Sequence, residues 1–389
     1  MNHPAVSRPD QPETIQAYRL WRVRVPFKST MRSSRGAMDV GDKVVLQLIT
    51  DRGRTGLGEA SVIFPSRSGE YASTIFVALK EMFCPRLIGR SPLHLARIMD
   101  DFESLTSEQY AFLATKCAVD LALHDLKARM LGLSVADLLG GAARSRLPLS
   151  RSISVMPDDK LVETAVRLAE GGYRLLTLKG TQDWRGNITT FERVRAAVPA
   201  GTQIEIDPNQ AWQPKDAIAV DRALAGLGLE CIEQPCAWWD LEGMKRVTDN
   251  TVSRIAADES VLSPADVMRV ARMGAADMVT IKVAKSGGIR CAAQMVEAAV
   301  NAGLTCNMGS KHPLGIGSAA ILHFAAAYPG VGDFLGYGSA LERFVGDIIR
   351  ETIVIEDGEA LVPQGEGFGV SLDEDALARY TLEYAESGR

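Results

Sequence analysis

Five ionisable residues recur at nearly even intervals through the middle of the chain: Lys179, Asp207, Glu233, Asp258 and Lys282, separated by 28, 26, 25 and 24 residues. Each closes a short, largely apolar run, in RLLTLK, QIEID, ECIE, RIAAD and MVTIK. One βα unit occupies about this length, so the spacing sets one charged group at the end of each of five successive parallel strands, on a single rim. Adjacent strands lie ~4.8 Å apart, and carboxylates on three neighbours repel unless a cation sits among them. An all-oxygen donor set without His or Cys favours Mg²⁺, with Mn²⁺ as the usual substitute. The two lysines flank the trio. An amine is a useful base near neutral pH only when its pKa is pulled down, and a nearby divalent cation and desolvation both act in that direction. The chemistry suggested is removal of a proton α to the carboxylate of a small acid, with charge stabilisation of an enediolate and either lysine taking or returning the proton.

The elements that must position these groups follow from the hydrophobic pattern. From about residue 149, short apolar strands alternate with amphipathic helices, the rhythm of a parallel sheet. Strands are expected over 151–155, 174–179, 203–207, 230–233, 254–258, 277–282 and 304–308. Helices are expected over 159–170, 190–197, 216–226, 264–273, 292–301 and 318–326. The reading is an α/β chain with a (β/α)7–8 TIM-like barrel over 146–340. Ahead of it, strand-like runs at 18–25 and 43–50 and a helical apolar pattern over 107–131 make residues 1–145 an α+β domain. Residues 341–389 read as an irregular segment, strand-like at 352–355, that returns to the first domain.

Composition narrows the function. With 43 basic and 48 acidic residues the net charge is −5, and no basic stripe appears, which argues against nucleic acid as a partner. No run approaches the ~20 apolar residues needed to span a bilayer, and no apolar stretch follows the first charges, so no membrane role and a cytoplasmic location are expected. The six cysteines form no C-x-x-C pair and read as small core residues of a protein in a reducing compartment.

The motifs GYRLLTLKG, IEIDPNQAW, CIEQP, IAADES and DMVTIKVAKSGGIR occur in order, together with TGLGEA near Gly56, a helix at 118–141 and VPQGEGFGV at 362–370. Across nearly the whole chain this combination resembles the enolase superfamily, and within it the muconate-lactonizing-enzyme-like (mandelate racemase/muconate cycloisomerase) group. The resemblance implies that Asp207, Glu233 and Asp258 ligate Mg²⁺ and that Lys179 and Lys282 are the acid/base catalysts. It also implies that the first domain caps the barrel mouth and that the chain forms a homo-oligomer.

Departures from the pattern bear on the reaction. The family usually carries Lys-x-Lys on the second strand, but here Thr177 precedes Lys179 by two residues. Side chains at i and i+2 share a strand face, so Thr177 points inward beside Lys179 without the push of a second ammonium. In MGSKHPLGIG, Pro313 stands where muconate-lactonizing relatives carry Glu, and Gly309 where other members carry His. Ser310, Lys311 and His312 are the local candidates for substrate contact, with Thr177 and Asn209. Glu205 and Arg254 share the inward phase of Asp207 and Asp258, and an interior pair between them is expected. Glu259 follows Asp258 directly and should face the other way. The loops at 28–35 and 61–67 carry Arg, Lys and Ser that would suit a second anionic group on the substrate, or simply face water.

The favoured outcome is racemisation, epimerisation or cycloisomerisation. The alternatives are a dehydratase acting on a hydroxy acid, acid sugar or hydroxy-imino acid, and a catalytically idle, metal-bound scaffold.

Overall fold

The computed structural model describes residues 12–62, 69–106, 110–336 and 338–387. His3 and most of the expected loop at 61–67 lie outside them. Strands β1 (Ile15–Ser33), β2 (Gly36–Thr50) and β3 (Thr55–Ser61) form an antiparallel meander. A short β4 (Arg146–Pro148) then leads into eight consecutive parallel strands. These are β5 (Ser150–Ile153), β6 (Leu175–Lys179), β7 (Gln203–Asp207), β8 (Leu229–Glu233), β9 (Arg254–Ala257), β10 (Met278–Ile281), β11 (Thr305–Met308) and β12 (Val331–Leu335). They pair in sequence order, and a parallel bridge between Leu149 and Leu335 brings the two ends together into a nearly closed barrel. Helices separate the strands, including Asp158–Glu170, Trp184–Ala197, Pro264–Met273, Ile289–Asn301 and Gly315–Ala327. No helix among the described residues is long and apolar enough to cross a membrane.

Period-two alternation explains the barrel wall. In β7, Ile204 and Ile206 are buried in the main apolar core, while Glu205 and Asp207 take the opposite phase and line the interior. Parallel strands are covered on both faces, so a charge there must find a partner.

The helix Leu113–Leu131 is buried along most of its length and packs on β3. Close approach demands the glycines of TGLGEA: a Cβ on Gly58 would lie 1.9 Å from the carbonyl oxygen of Ala118. Asp125 of that helix accepts from the backbone N–H of Leu57 at 2.8 Å and of Phe368 at 2.7 Å. One carboxylate thus ties β3, the helix and the C-terminal segment together. β13 (Ile355–Glu356) pairs with β14 (Glu359–Leu361), which pairs with β4, and the later β15 (Thr381–Glu386) runs antiparallel to β1.

The meander covers the barrel mouth through the β1–β2 turn. There the Ser34 hydroxyl donates to the Pro208 carbonyl at 2.8 Å, and the Val155 N–H donates to the Arg32 carbonyl at 3.2 Å. The sequence pattern did not signal β3, the helix Leu241–Thr248 or β12. In β12 (VGDFL), Gly332 and Asp333 interrupt the apolar run. The helical pattern expected from 107 begins at Leu113.

Candidate active site

Lys179 ends β6, Asp207 ends β7 and Glu233 ends β8, while Asp258 and Lys282 directly follow β9 and β10. All five therefore reach the same rim. Lys179 donates to Asp207 and Lys282 to Asp258, each in a short charge-assisted contact. Lys285, one helical turn beyond Lys282, donates to both Oδ1 and the carbonyl oxygen of Asp258 at 2.5 Å. The sequence reading did not single out Lys285. Its signal was there, because i and i+3 on a helical turn share a face.

The charges act on one another. Burial works to lower the pKa of Lys179, but Asp207 and Glu233 outweigh it and hold the ammonium above its ordinary value. Lys282 is raised in the same way: burial opposes its charge, and Asp258 and Glu233 more than compensate. For Asp258, burial favours the neutral acid, yet Lys282 and Lys285 keep its carboxyl well below the usual range. Glu233 is pushed well up, first by burial and then by Asp207 and Asp258. The lysines thus carry protons in this state, opposite to the depressed values a working base requires.

As the side chains lie, no group of three or more His, Cys, Asp and Glu among the described residues stands at metal-holding distance. The donor chemistry nonetheless fits a hard divalent ion. Three carboxylates end adjacent strands, and Glu233 registers a repulsion from the other two that a cation among them would relieve.

Backbone strain is concentrated at the same rim. Asn209, Gln210, Gln234 and His312 all have positive φ, at 47°, 74°, 42° and 47°, and each lies just beyond the end of a barrel strand. Non-glycine residues adopt this region at a cost and persist there when neighbours hold them. Asn209 is held by Asp207, which accepts from its N–H at 2.8 Å and from its amide Nδ2 at 3.0 Å; the same Nδ2 donates to Glu259 at 3.3 Å. Gln234 is fully buried, and its Oε1 accepts from the N–H of Asp258 at 2.9 Å and of Ser260 at 3.1 Å. Gln234 therefore sets the turn that presents Asp258, a role the sequence reading missed.

A cavity at the mouth is lined by Lys179, Asn209, Asp258 and Lys282, with Ser310, Lys311 and His312 from the loop after β11. Arg32, Arg35 and Arg343 close its capping side. Burial pushes the His312 imidazole well below its ordinary value, with Arg343 and Lys43 adding to the effect. Lys311 is lowered to about 7 by burial and by Lys282. Glu259, expected to face the other way from Asp258, instead lines the same cavity beside Asp258 and Lys282 and pairs with Arg35 at 3.8 Å, because the regular strand ends at Ala257 and its alternation no longer applies.

Below the mouth, the interior is lined by Ser150, Thr177, Glu205, Thr280 and Asn307. Thr177 is buried, and its hydroxyl donates to Glu205. The expected Glu205–Arg254 pair does not form, because Arg254 is exposed at the opposite, N-terminal end of its strand.

Comparison with known proteins decides the family. The family described as enolase C-terminal domain-like matches residues 160–376, and the mandelate racemase/muconate lactonizing enzyme N-terminal domain matches residues 13–140. The chain belongs to the enolase superfamily. Within it, the muconate-lactonizing-enzyme-like group holds its relatives. Muconate cycloisomerase 1 of Rhodococcus opacus is 32% identical over 363 residues, covering 92% of this chain and 95% of the relative. The crystal structure of N-succinyl Arg/Lys racemase from Bacillus cereus superposes with a TM-score of 0.91 at 26% identity, over 96% of this chain and 100% of that one. A dipeptide epimerase from Enterococcus faecalis, complexed with Mg and the dipeptide L-Leu-L-Tyr, matches with a TM-score of 0.86 at 26% identity, over 92% and 99% of the two chains. This enolase-superfamily chain is an enzyme, and its relatives bear the names of isomerases.

Proposed function

We propose that the protein is an isomerase acting through an enediolate of a small carboxylic acid. Removal of the α-proton and its return from the second lysine gives racemisation or epimerisation. An enediolate formed or consumed by closing or opening a ring at the β-carbon, with one proton transfer at the α-carbon, gives cycloisomerisation. The observation that carries this reading is the position of two amines at the ends of one row of carboxylates: β6 and β10, which deliver Lys179 and Lys282, flank β7, β8 and β9. Asp207, Glu233 and Asp258 would hold a divalent cation, Mg²⁺ with Mn²⁺ as its substitute, and bound there it would stabilise negative charge on the substrate's carboxylate oxygens.

The rest falls to the chain's own residues. Lys179 and Lys282 approach the space above the carboxylates from opposite sides, so a proton taken at one Nζ and another delivered from the second Nζ inverts the carbon between them. A lysine accepts a proton only as the free amine, so the ion pairs with Asp207 and Asp258 must be exchanged for other partners in the working site. Asn209 and Gln234 fix the strand-end turns that present Asp207 and Asp258, which lowers the cost of orienting them. Arg32, Arg35 and Arg343 on the capping side, with Lys311 on the loop after β11, suit a second anionic group on the substrate. The relatives named above, a muconate cycloisomerase, a racemase and a dipeptide epimerase, support the reaction type.

The test is incubation in D₂O with Mg²⁺ and a panel of amino, imino and dicarboxylic acids and dipeptides, read by mass and optical rotation. Deuterium at the α-carbon without loss of water, absent in Lys179→Ala and Lys282→Ala, supports the proposal. A product lighter by one water moves the enzyme to dehydration. Complete lack of exchange across the panel refutes the reading in favour of an idle scaffold.

A further inference from the structure

One buried amine stands outside the row of carboxylates and lysines at the rim. Lys43 lies in β2 with no exposed surface, and its side chain is among the largest fully buried in the protein. Among the described residues no carboxylate stands within ion-pair distance of it. Its ammonium reaches two backbone carbonyls instead, that of Val62 at 3.3 Å and that of Lys311 at 3.5 Å. The second of these belongs to the loop that carries the substrate-facing side chains.

The capping sheet holds this loop at further points. Glu59 of β3 accepts from the N–H of Leu314 at 2.8 Å and of Gly317 at 2.9 Å, so its carboxylate sits on the first turn of the helix Gly315–Ala327. Phe27 of β1 meets the His312 ring edge-on at 6.5 Å and stacks on Phe344 at 4.4 Å. Phe344 in turn lies 5.9 Å from the Lys43 ammonium. Between these holds the backbone of His312 takes its left-handed conformation. A strained residue needs its surroundings to over-determine it, and here the surroundings come from the other domain.

We propose that Lys43 is a positioning residue: its buried ammonium latches the capping sheet to the backbone of the 310–312 loop and so sets where Lys311 and His312 stand in the substrate cavity. An apolar side chain would fill this core position without any desolvation cost. Burial pushes the Lys43 amine down to about 8, against Glu59 and Asp42 which favour its charge, so the ammonium is kept at the expense of stability. The carbonyl of Lys311 is what it gains. The inference rests on the assignment of this cavity to the substrate, and its first readout does not need turnover.

The experiment compares wild type with Lys43→Met, which keeps the volume and removes the donor, and with Lys43→Gln, which restores a neutral donor. Amide hydrogen exchange is followed in peptides covering 308–314 and 44–49, and kcat and KM are measured on whichever acid the deuterium assay identifies. In Lys43→Met we expect exchange in 308–314 to rise about tenfold while 44–49 keeps its wild-type rate, with KM raised roughly fivefold or more and kcat changed less. Lys43→Gln should recover part of both effects. Unchanged exchange in 308–314 would overturn the latch, and so would a parallel rise in 44–49, which marks loss of the sheet itself. A loosened loop with wild-type KM would overturn its link to substrate. If no acid is turned over at all while the loop loosens as expected, the latch stands and only the isomerase reading falls.

Discussion

The Thr177 hydroxyl donates a 2.5 Å hydrogen bond to Oε1 of Glu205, its register partner on the neighbouring strand. Both side chains face the barrel interior just below Lys179. Burial pushes the Glu205 carboxyl up to about 7, with the Thr177 hydroxyl working against the rise. At the position where the Lys-x-Lys pattern of the resembled family would set a second ammonium beside Lys179, this chain places a hydroxyl bonded to a carboxyl. Neither can depress the Lys179 pKa.

Thr177→Lys should therefore shift the pH profile. The base works as the free amine, so activity rises as pH passes upward through its pKa. A positive charge at 177 favours the neutral amine at 179, and the rising limb should move to lower pH by about one unit, part of the effect being absorbed by Glu205. A limb that stays in place would show that the residue at 177 does not tune Lys179.

Cation binding should release protons. Ligation needs Glu233 ionised, and this carboxyl is raised well above its ordinary value. Affinity for Mg²⁺ should fall as pH falls, and calorimetric titrations in buffers of different ionisation enthalpy should report proton release. Saturating Mg²⁺ should raise Tm, by about 2.7 kcal/mol of stability at a hundredfold excess over Kd. Glu233→Gln should abolish the stabilisation; a variant still stabilised by Mg²⁺ to the wild-type extent would place the ion elsewhere.

His323 should make the fold acid-sensitive in a defined window. Its Nδ1 accepts from the Ala136 N–H at 3.2 Å and its Nε2–H donates to the Phe368 carbonyl at 3.1 Å, which requires the neutral ring. Burial lowers its pKa to about 4. The unfolded chain binds the proton first, so the contribution is complete above about pH 6.5 and is lost as pH falls toward 4, amounting to roughly 3 kcal/mol. His323→Gln should flatten the dependence of urea-unfolding free energy on pH across that interval.

Gly58→Ala should be among the most destabilising single-methyl changes available. The added Cβ would lie 1.9 Å from a backbone oxygen of the buried helix Leu113–Leu131, and neither partner can move without shifting β3 or the helix. A loss of roughly 3 kcal/mol or more is expected in chemical denaturation. Gly53→Ala, where nothing lies within 4 Å but φ is +79°, should cost only about 1 kcal/mol.

The amino-acid sequence by itself determined the parallel barrel and the row Lys179, Asp207, Glu233, Asp258 and Lys282 at its rim. Strand alternation and βα spacing are local regularities, and a residue that ends a strand must appear at the strand's end. It could not determine what each charge touches. Lys282 and Lys285 share Asp258, Glu205 bonds Thr177 across a strand register rather than Arg254, and Gln234 buttresses the turn below Asp258. The register in which the C-terminal segment, expected to return to the first domain, pairs β15 with β1, and the reach of Lys43 from the capping sheet to the loop at 310–312, depend on chain segments far apart in sequence. Such contacts are selected by packing and by the need of buried polar groups for partners, and those conditions exist only once the chain has closed on itself.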